Sequence, residues 1–96
     1  MNNVILTGRL TRDVELLGEM QSYLRNALAV KSSFKSKNGE YKTDFFNFVA
    51  FNKTAEIINS YCYKGALVLI KGHLTTNTMK NDKGIDITII ELIADE

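Results

Sequence analysis

Residues 43–51 read TDFFNFVAF and hold four of the chain's five phenylalanines. Aromatic and β-branched residues dominate the stretch, and neither Gly nor Pro interrupts it, so it reads as a strand. Successive side chains on a strand point to opposite faces. Phe46, Phe48 and Ala50 therefore share one face, and Phe45, Asn47, Val49 and Phe51 share the other. A small domain has one core, so only one of these faces lines it. The second aromatic face needs another partner.

Working outward, KSKNGEYK (35–42) precedes this strand, and its Asn38-Gly39 pair between strand-like runs is a strong hairpin signal. Residues 23–34 form the strand before the turn. At the start, NVILTGRL (3–10) is a strand with an internal glycine, Gly8, of the kind that marks a bulge or a sharp barrel bend. Between these two, DVELLGEMQS (13–22) fits a continued strand, a loop or a short helical turn. Past Phe51 the period changes. Asn52 is placed to cap a helix, Ala55, Ile58 and Cys62 recur at helical spacing, and Lys64-Gly65 supplies the stop. ALVLIKGHLTTNTM (66–79) is a fourth strand with an internal glycine, Gly72, KNDKG (80–84) a polar turn, and IDITIIELIA (85–94) the last strand. Three strands, one helix and two strands is the order of the five-stranded OB barrel, an all-β fold with its helix between strands three and four.

At 96 residues the chain is a single domain, and its 45% hydrophobic and 24% charged residues are those of an ordinary globular protein. No apolar run approaches the ~20 residues of a bilayer span. The N-terminus lacks a charged leader and a small-residue cleavage site, and reads as the first strand of the mature fold. Cys62 is the only cysteine, so no internal disulfide forms. A cytoplasmic protein is expected. Net charge is only +1, but it is unevenly spread. Lysines 31, 35, 37, 42 and 53 face Glu40 and Asp44, and lysines 64, 71, 80 and 83 face Asp82, whereas Asp86, Glu91, Asp95 and Glu96 collect near the end. A basic side suits a polyanion.

Several separated blocks now point to a family. NNVILTGRLTRDVEL, ALAVKSSF, TDFFNFVAFNKTAE and YKGALVLIKGHLTTNTMKNDKG, in that order, resemble bacterial and phage single-stranded DNA-binding proteins. The likeness covers nearly the whole chain and is weakest over residues 17–26. It implies an OB barrel that binds single-stranded DNA without marked sequence preference and protects it during replication, recombination or repair. It implies a homo-oligomer, a tetramer in preference to a dimer. By position, Phe45 stands where the family has a stacking tryptophan, and Phe51 matches a stacking phenylalanine. Phe34 occupies another aromatic position, and Met79 one commonly held by Trp or Tyr. Phosphate contacts are expected from Lys35, Lys37 and Lys42 beside the first turn, from Lys80 and Lys83 beside the second, and from Arg9 and Lys71. On this view Phe46, Phe48 and Ala50 pack inward or toward a neighbouring subunit, and Phe45 and Phe51 present their rings to bases.

The chain also departs from the family pattern. It has no tryptophan, and Met79 offers polarizable contact without a ring. Residues 17–26 lack a Pro-Asn-Gly turn, and Asn26 stands where a buried aromatic is common. The sequence stops directly after the last strand, where members carry a Gly/Pro-rich tail with an acidic tip. Recruitment of replication enzymes through such a tail is not expected, and Asp95 and Glu96 read as polar ends.

One His, one Cys and no phosphate-cradling glycine loop argue against an enzyme, a metal or a cofactor. His73 reads as a surface or interface residue and Cys62 as a small hydrophobe on the helix. Two other binding roles compete: a primosomal replication-restart OB protein acting mainly through protein partners, and a structural subunit whose aromatic strand serves assembly. Oligo-dT titration at two salt concentrations separates them.

Overall fold

The computed structural model describes residues 1–96 as β1 (Val4–Leu10), β2 (Tyr23–Lys35), β3 (Tyr41–Phe51), α1 (Asn52–Tyr61), β4 (Leu67–Lys80) and β5 (Asp86–Ala94). The strands close into a barrel in the order β1-β2-β3-β5-β4. Every neighbouring pair is antiparallel except β3 and β5, which run parallel over Phe48–Ala50 against Leu92–Ala94. The order expected from sequence, with its single helix between β3 and β4, is the order found. Residues 13–22 form a loop, with a turn at 18–21 and one isolated bridge from Leu17 to Tyr23.

The core follows from strand alternation. Leu10, Leu24, Leu28, Phe48, Ala50, Ile70 and Leu92 point inward and are buried together. One end is closed by α1, which buries Ala55 and packs Ile58 and Cys62 against this cluster. The helix starts differently from expectation. Asn52 does not cap it; Phe51 holds the cap position in extended conformation, with no side-chain cap bond. Asn52 instead enters the left-handed region at φ +50°, which Asn tolerates better than most residues, and its N–H donates to the Ser22 carbonyl. The chain thus turns from strand to helix against the start of β2.

Gly72 is the pivot of the barrel. It pairs with Val4 of β1 and with Ala94 of β5, so β4 passes from one neighbour to the other at this residue. The crossing brings the backbones so close that a Cβ here would lie 2.0 Å from the Ile93 carbonyl oxygen. Asp95 and Glu96 are more than polar ends. Both of their N–H groups donate to the Lys71 carbonyl, the Asp95 carbonyl accepts from the Thr54 hydroxyl, and its carboxylate lies 2.9 Å from His73 Nδ1.

Candidate nucleic-acid interface

The β2–β3 hairpin runs past the barrel body, and its outward side chains form the candidate surface. Residues paired directly across strands share a face. Tyr23 is paired with Phe51, Arg25 with Val49, Ala27 with Asn47 and Ala29 with Phe45. These pairs make one continuous outer face.

Phe45 is 66% exposed and Phe51 47%, whereas Val49 between them is only 4% exposed. Pairing explains the difference. At Val49, β3 has partners on both sides, Arg25 of β2 and Ile93 of β5. At Phe45, β5 has no paired residue and the β2 partner is the small Ala29, so nothing covers the ring. The inward alternation holds for Phe48 and Ala50. Phe46 begins on the same side but stands beyond the paired stretch of β5 at the open barrel mouth, and is 41% exposed. With Val4, Leu6, Leu74, Ile90 and the neighbouring Phe45 it lines an apolar hollow.

Phe34 is 81% exposed near the end of β2, where the register shifts between Lys31 and Lys35. Met79 is exposed on the outer face of the β4–β5 arm, opposite Ile87. That arm stands across a cleft from β3, so Met79, Asn47 and Val49 line the same space.

The basic candidates divide into groups. Lys35 and Lys42 lie on the strands of the first hairpin with Lys37 in its turn, and Lys80 ends β4 with Lys83 in the turn that follows. Lys42 pairs with Asp44 at 3.1 Å, but both groups are solvated, and such pairs contribute little. Arg9 belongs to an outer row that runs Leu67, Arg9, Ala29, Phe45 across four strands. Two strand spacings, roughly 10 Å, separate it from Phe45, and Arg9 and Lys31 line a shallow basin in between. Lys71 is exposed on the outward side of β4, four residues along from Leu67. Its register partner is Ile5, and its backbone is bonded to Asp95 and Glu96.

The geometry adds residues that the sequence did not single out. The Tyr23 and Phe51 rings lie 6.4 Å apart with a 43° tilt, and the Arg25 guanidinium sits 5.9 Å from the Tyr23 ring centre. Tyr41 carries the Lys31 ammonium 4.4 Å from its ring centre and that of Lys35 at 5.5 Å. Alternation along β2 separates Tyr23 and Arg25 from Leu24, but pairing them with Phe51 needs the register. Counting back from Lys35 opposite Tyr41 would set Phe45 against Lys31; the irregularity after Lys31 makes Ala29 its partner instead. That slip was not legible from the hairpin turn.

A closed five-stranded barrel with a helix between its third and fourth strands and exposed aromatics framed by basic hairpins defines an OB-type protein. The comparisons narrow this class. The single-strand binding protein family model matches residues 1–96, and the chain belongs to that family. It is similar to single-stranded DNA-binding protein B of Bacillus subtilis, 38% identical over 98 residues, covering 98% of this chain and 85% of that one. It is 40% identical over 97 residues to single-stranded DNA-binding protein 1 of Lactococcus lactis, covering 99% of this chain and 65% of the relative. Against the single-stranded DNA-binding protein of Streptococcus mutans, the chain spans 59% of the relative's length at 38% identity. Among solved structures, a mitochondrial single-stranded DNA binding protein from S. cerevisiae has the same fold, with a TM-score of 0.74 at 20% identity. That alignment covers 98% of this chain and 89% of the yeast one.

Proposed function

We propose that residues 1–96 form one single-stranded DNA-binding domain that is not an enzyme. Bases stack on Phe45 and Phe51, with Phe34 and Met79 as further contacts, and hairpin lysines and Arg9 neutralise phosphates. The observation that carries this is the pair of uncovered rings on β3, flanked by Tyr23, Arg25 and Lys31, in a member of a single-strand binding family. Stacking on ring faces is tolerant of sequence, because every base has one. Such a domain would cover exposed strands in replication, recombination and repair. No helix is long and apolar enough to cross a membrane, and the free Cys62 thiol suits a reducing, cytoplasmic compartment.

Titration with oligo-dT at several salt concentrations tests the proposal. Each neutralised phosphate lowers the slope of log affinity against log salt by ~0.7. Replacing Lys35, Lys37 and Lys42 together with Gln is expected to make the slope shallower by about 2 and to weaken binding at low salt. A salt-independent affinity would refute the phosphate contacts, and weak binding throughout would favour a role through protein partners.

The working unit is a homo-tetramer. Two separate exposed apolar surfaces support this: Ile5, Leu67 and Leu69 on β1 and β4, and the hollow at Phe46 at the barrel mouth. Exposed apolar patches mark contact sites, and two self-complementary interfaces build a tetramer of two-fold symmetry. Sedimentation is expected at about four times the 10.8 kDa chain mass, falling to a dimer or monomer in Leu69→Glu. A wild-type monomer at micromolar concentration would exclude the assembly.

A further inference from the structure

Asn26 is the buried polar side chain of the barrel, with no exposed surface. A buried amide destabilises a core unless it is bonded, and here both its oxygen and its nitrogen have partners. Its Oδ1 accepts from the N–H groups of Ala27 at 2.8 Å and Arg12 at 3.3 Å, and its Nδ2 donates to the Arg12 carbonyl at 3.1 Å. The adjoining peptide adds to the staple. The Thr11 N–H and hydroxyl both donate to the Ala27 carbonyl, at 3.1 and 3.0 Å. Four of these bonds fasten Thr11–Arg12, just past β1, to the middle of β2.

The staple sets Arg12 on the rim of the cleft between β3 and the β4–β5 arm. The cleft measures about 300 Å³ and is also lined by Arg25 and Asn47. Phe48 and Val49 contribute apolar surface from β3, and Met79 and Ile89 from the arm. Glu91 is its one acidic group, and its carboxylate accepts a hydrogen bond from the Asn77 amide. Two arginines, Arg12 and Arg25, thus line this space beside an apolar surface. That combination matches a nucleotide, whose phosphate is anionic and whose base has apolar faces.

We propose that this cleft takes the phosphate of one nucleotide of the bound strand on Arg12 and Arg25, beside the Met79 contact already proposed above. Asn26 is the positioning residue that holds Arg12 in place; the inference rests on the single-strand reading above. Guanidinium forks bind phosphate oxygens in pairs. Tying down the Arg12 backbone beforehand reduces the ordering that binding would otherwise require. An apolar residue at 26 could fill the barrel as well, but it could not bond the Arg12 peptide on both its N–H and C=O.

Oligo-dT titrations over a salt series, with thermal midpoints measured in parallel, test this. Arg12→Gln is expected to make the slope per bound subunit shallower by ~0.7 and to weaken binding several-fold, and Arg12→Lys to restore the slope. Asn26→Ala is expected to shift the slope in the same direction, and the double variant Arg12→Gln/Asn26→Ala to show no further shift, as coupled residues do. If Asn26→Ala does not fold, Asn26→Ser, whose hydroxyl is too short to span to Arg12, serves in its place. A lowered thermal midpoint with unchanged slope would make Asn26 merely structural and overturn its positioning role. An unchanged slope in Arg12→Gln, with binding still weakened at least about 30-fold in the Phe45→Ala/Phe51→Ala variant, would remove the cleft and keep the wider proposal. No binding by the wild-type chain would remove both.

Discussion

Phe45→Ala combined with Phe51→Ala is expected to lower affinity for oligo-dT by at least about 30-fold and to leave the barrel folded. Stacking of a base on an aromatic side chain contributes roughly 1–3 kcal/mol. Deleting two platforms therefore removes about 2–6 kcal/mol, which spans about 30-fold to 10⁴-fold in the dissociation constant. Both rings stand in solvent, so their removal opens no cavity. Within the fold, the double change mainly abolishes the tilted pairing of Phe51 with Tyr23, worth about 1 kcal/mol. Tyrosine fluorescence reports the titration, since the chain has four tyrosines and no tryptophan. Circular dichroism shows whether the fold persists. A folded double variant that binds within threefold of wild type would reject base stacking on this strand.

Gly72→Ala is expected to be the most damaging single-methyl change in the molecule. A Cβ at this position would lie 2.0 Å from the Ile93 carbonyl oxygen and 3.0 Å from its carbon, both backbone atoms. Backbone cannot swing aside as a side chain does. Relief requires β4 and β5 to separate at the residue that also pairs with Val4, so the barrel must open where it closes. Overpacking of a well-filled interior costs about 1–3 kcal/mol or more. For a domain of this size, a destabilisation of about 3 kcal/mol lowers the thermal midpoint by roughly 12–24 °C. Gly8→Ala, with a clash of 2.6 Å against the Ala29 carbonyl oxygen, should be milder but of the same kind. Gly39 provides the contrast, because nothing lies within 4 Å of its added Cβ. Its φ of +79° is one that Asn tolerates better than other side chains, so Gly39→Asn should cost the least of the three. Thermal midpoints ranked Gly72→Ala, Gly8→Ala, Gly39→Asn from lowest to highest support the closure geometry. A Gly72→Ala protein within a few degrees of wild type would refute it.

Much of the candidate surface was legible in the order of residues. Alternation along 43–51 separated Phe45 and Phe51 from Phe48, and the exposures of these three agree with that division. Asn38-Gly39 located a hairpin turn, which put Lys35, Lys37 and Lys42 around it. Phe46 shows where alternation stops being sufficient. It shares the inward face with Phe48, yet it is substantially exposed because β5 pairs only with residues 48–50.

By itself, the sequence determined the order of elements, the two-faced character of β3 and the turns, because each depends on residues within one strand or turn of one another. Tertiary structure alone decided which outward residues stay uncovered, how β2 registers against β3, and that Asn26 reaches across to fasten Arg12. Those outcomes depend on barrel closure, which pairs residues tens of positions apart, as at Phe48 and Leu92. No local periodicity records which distant backbone will arrive alongside.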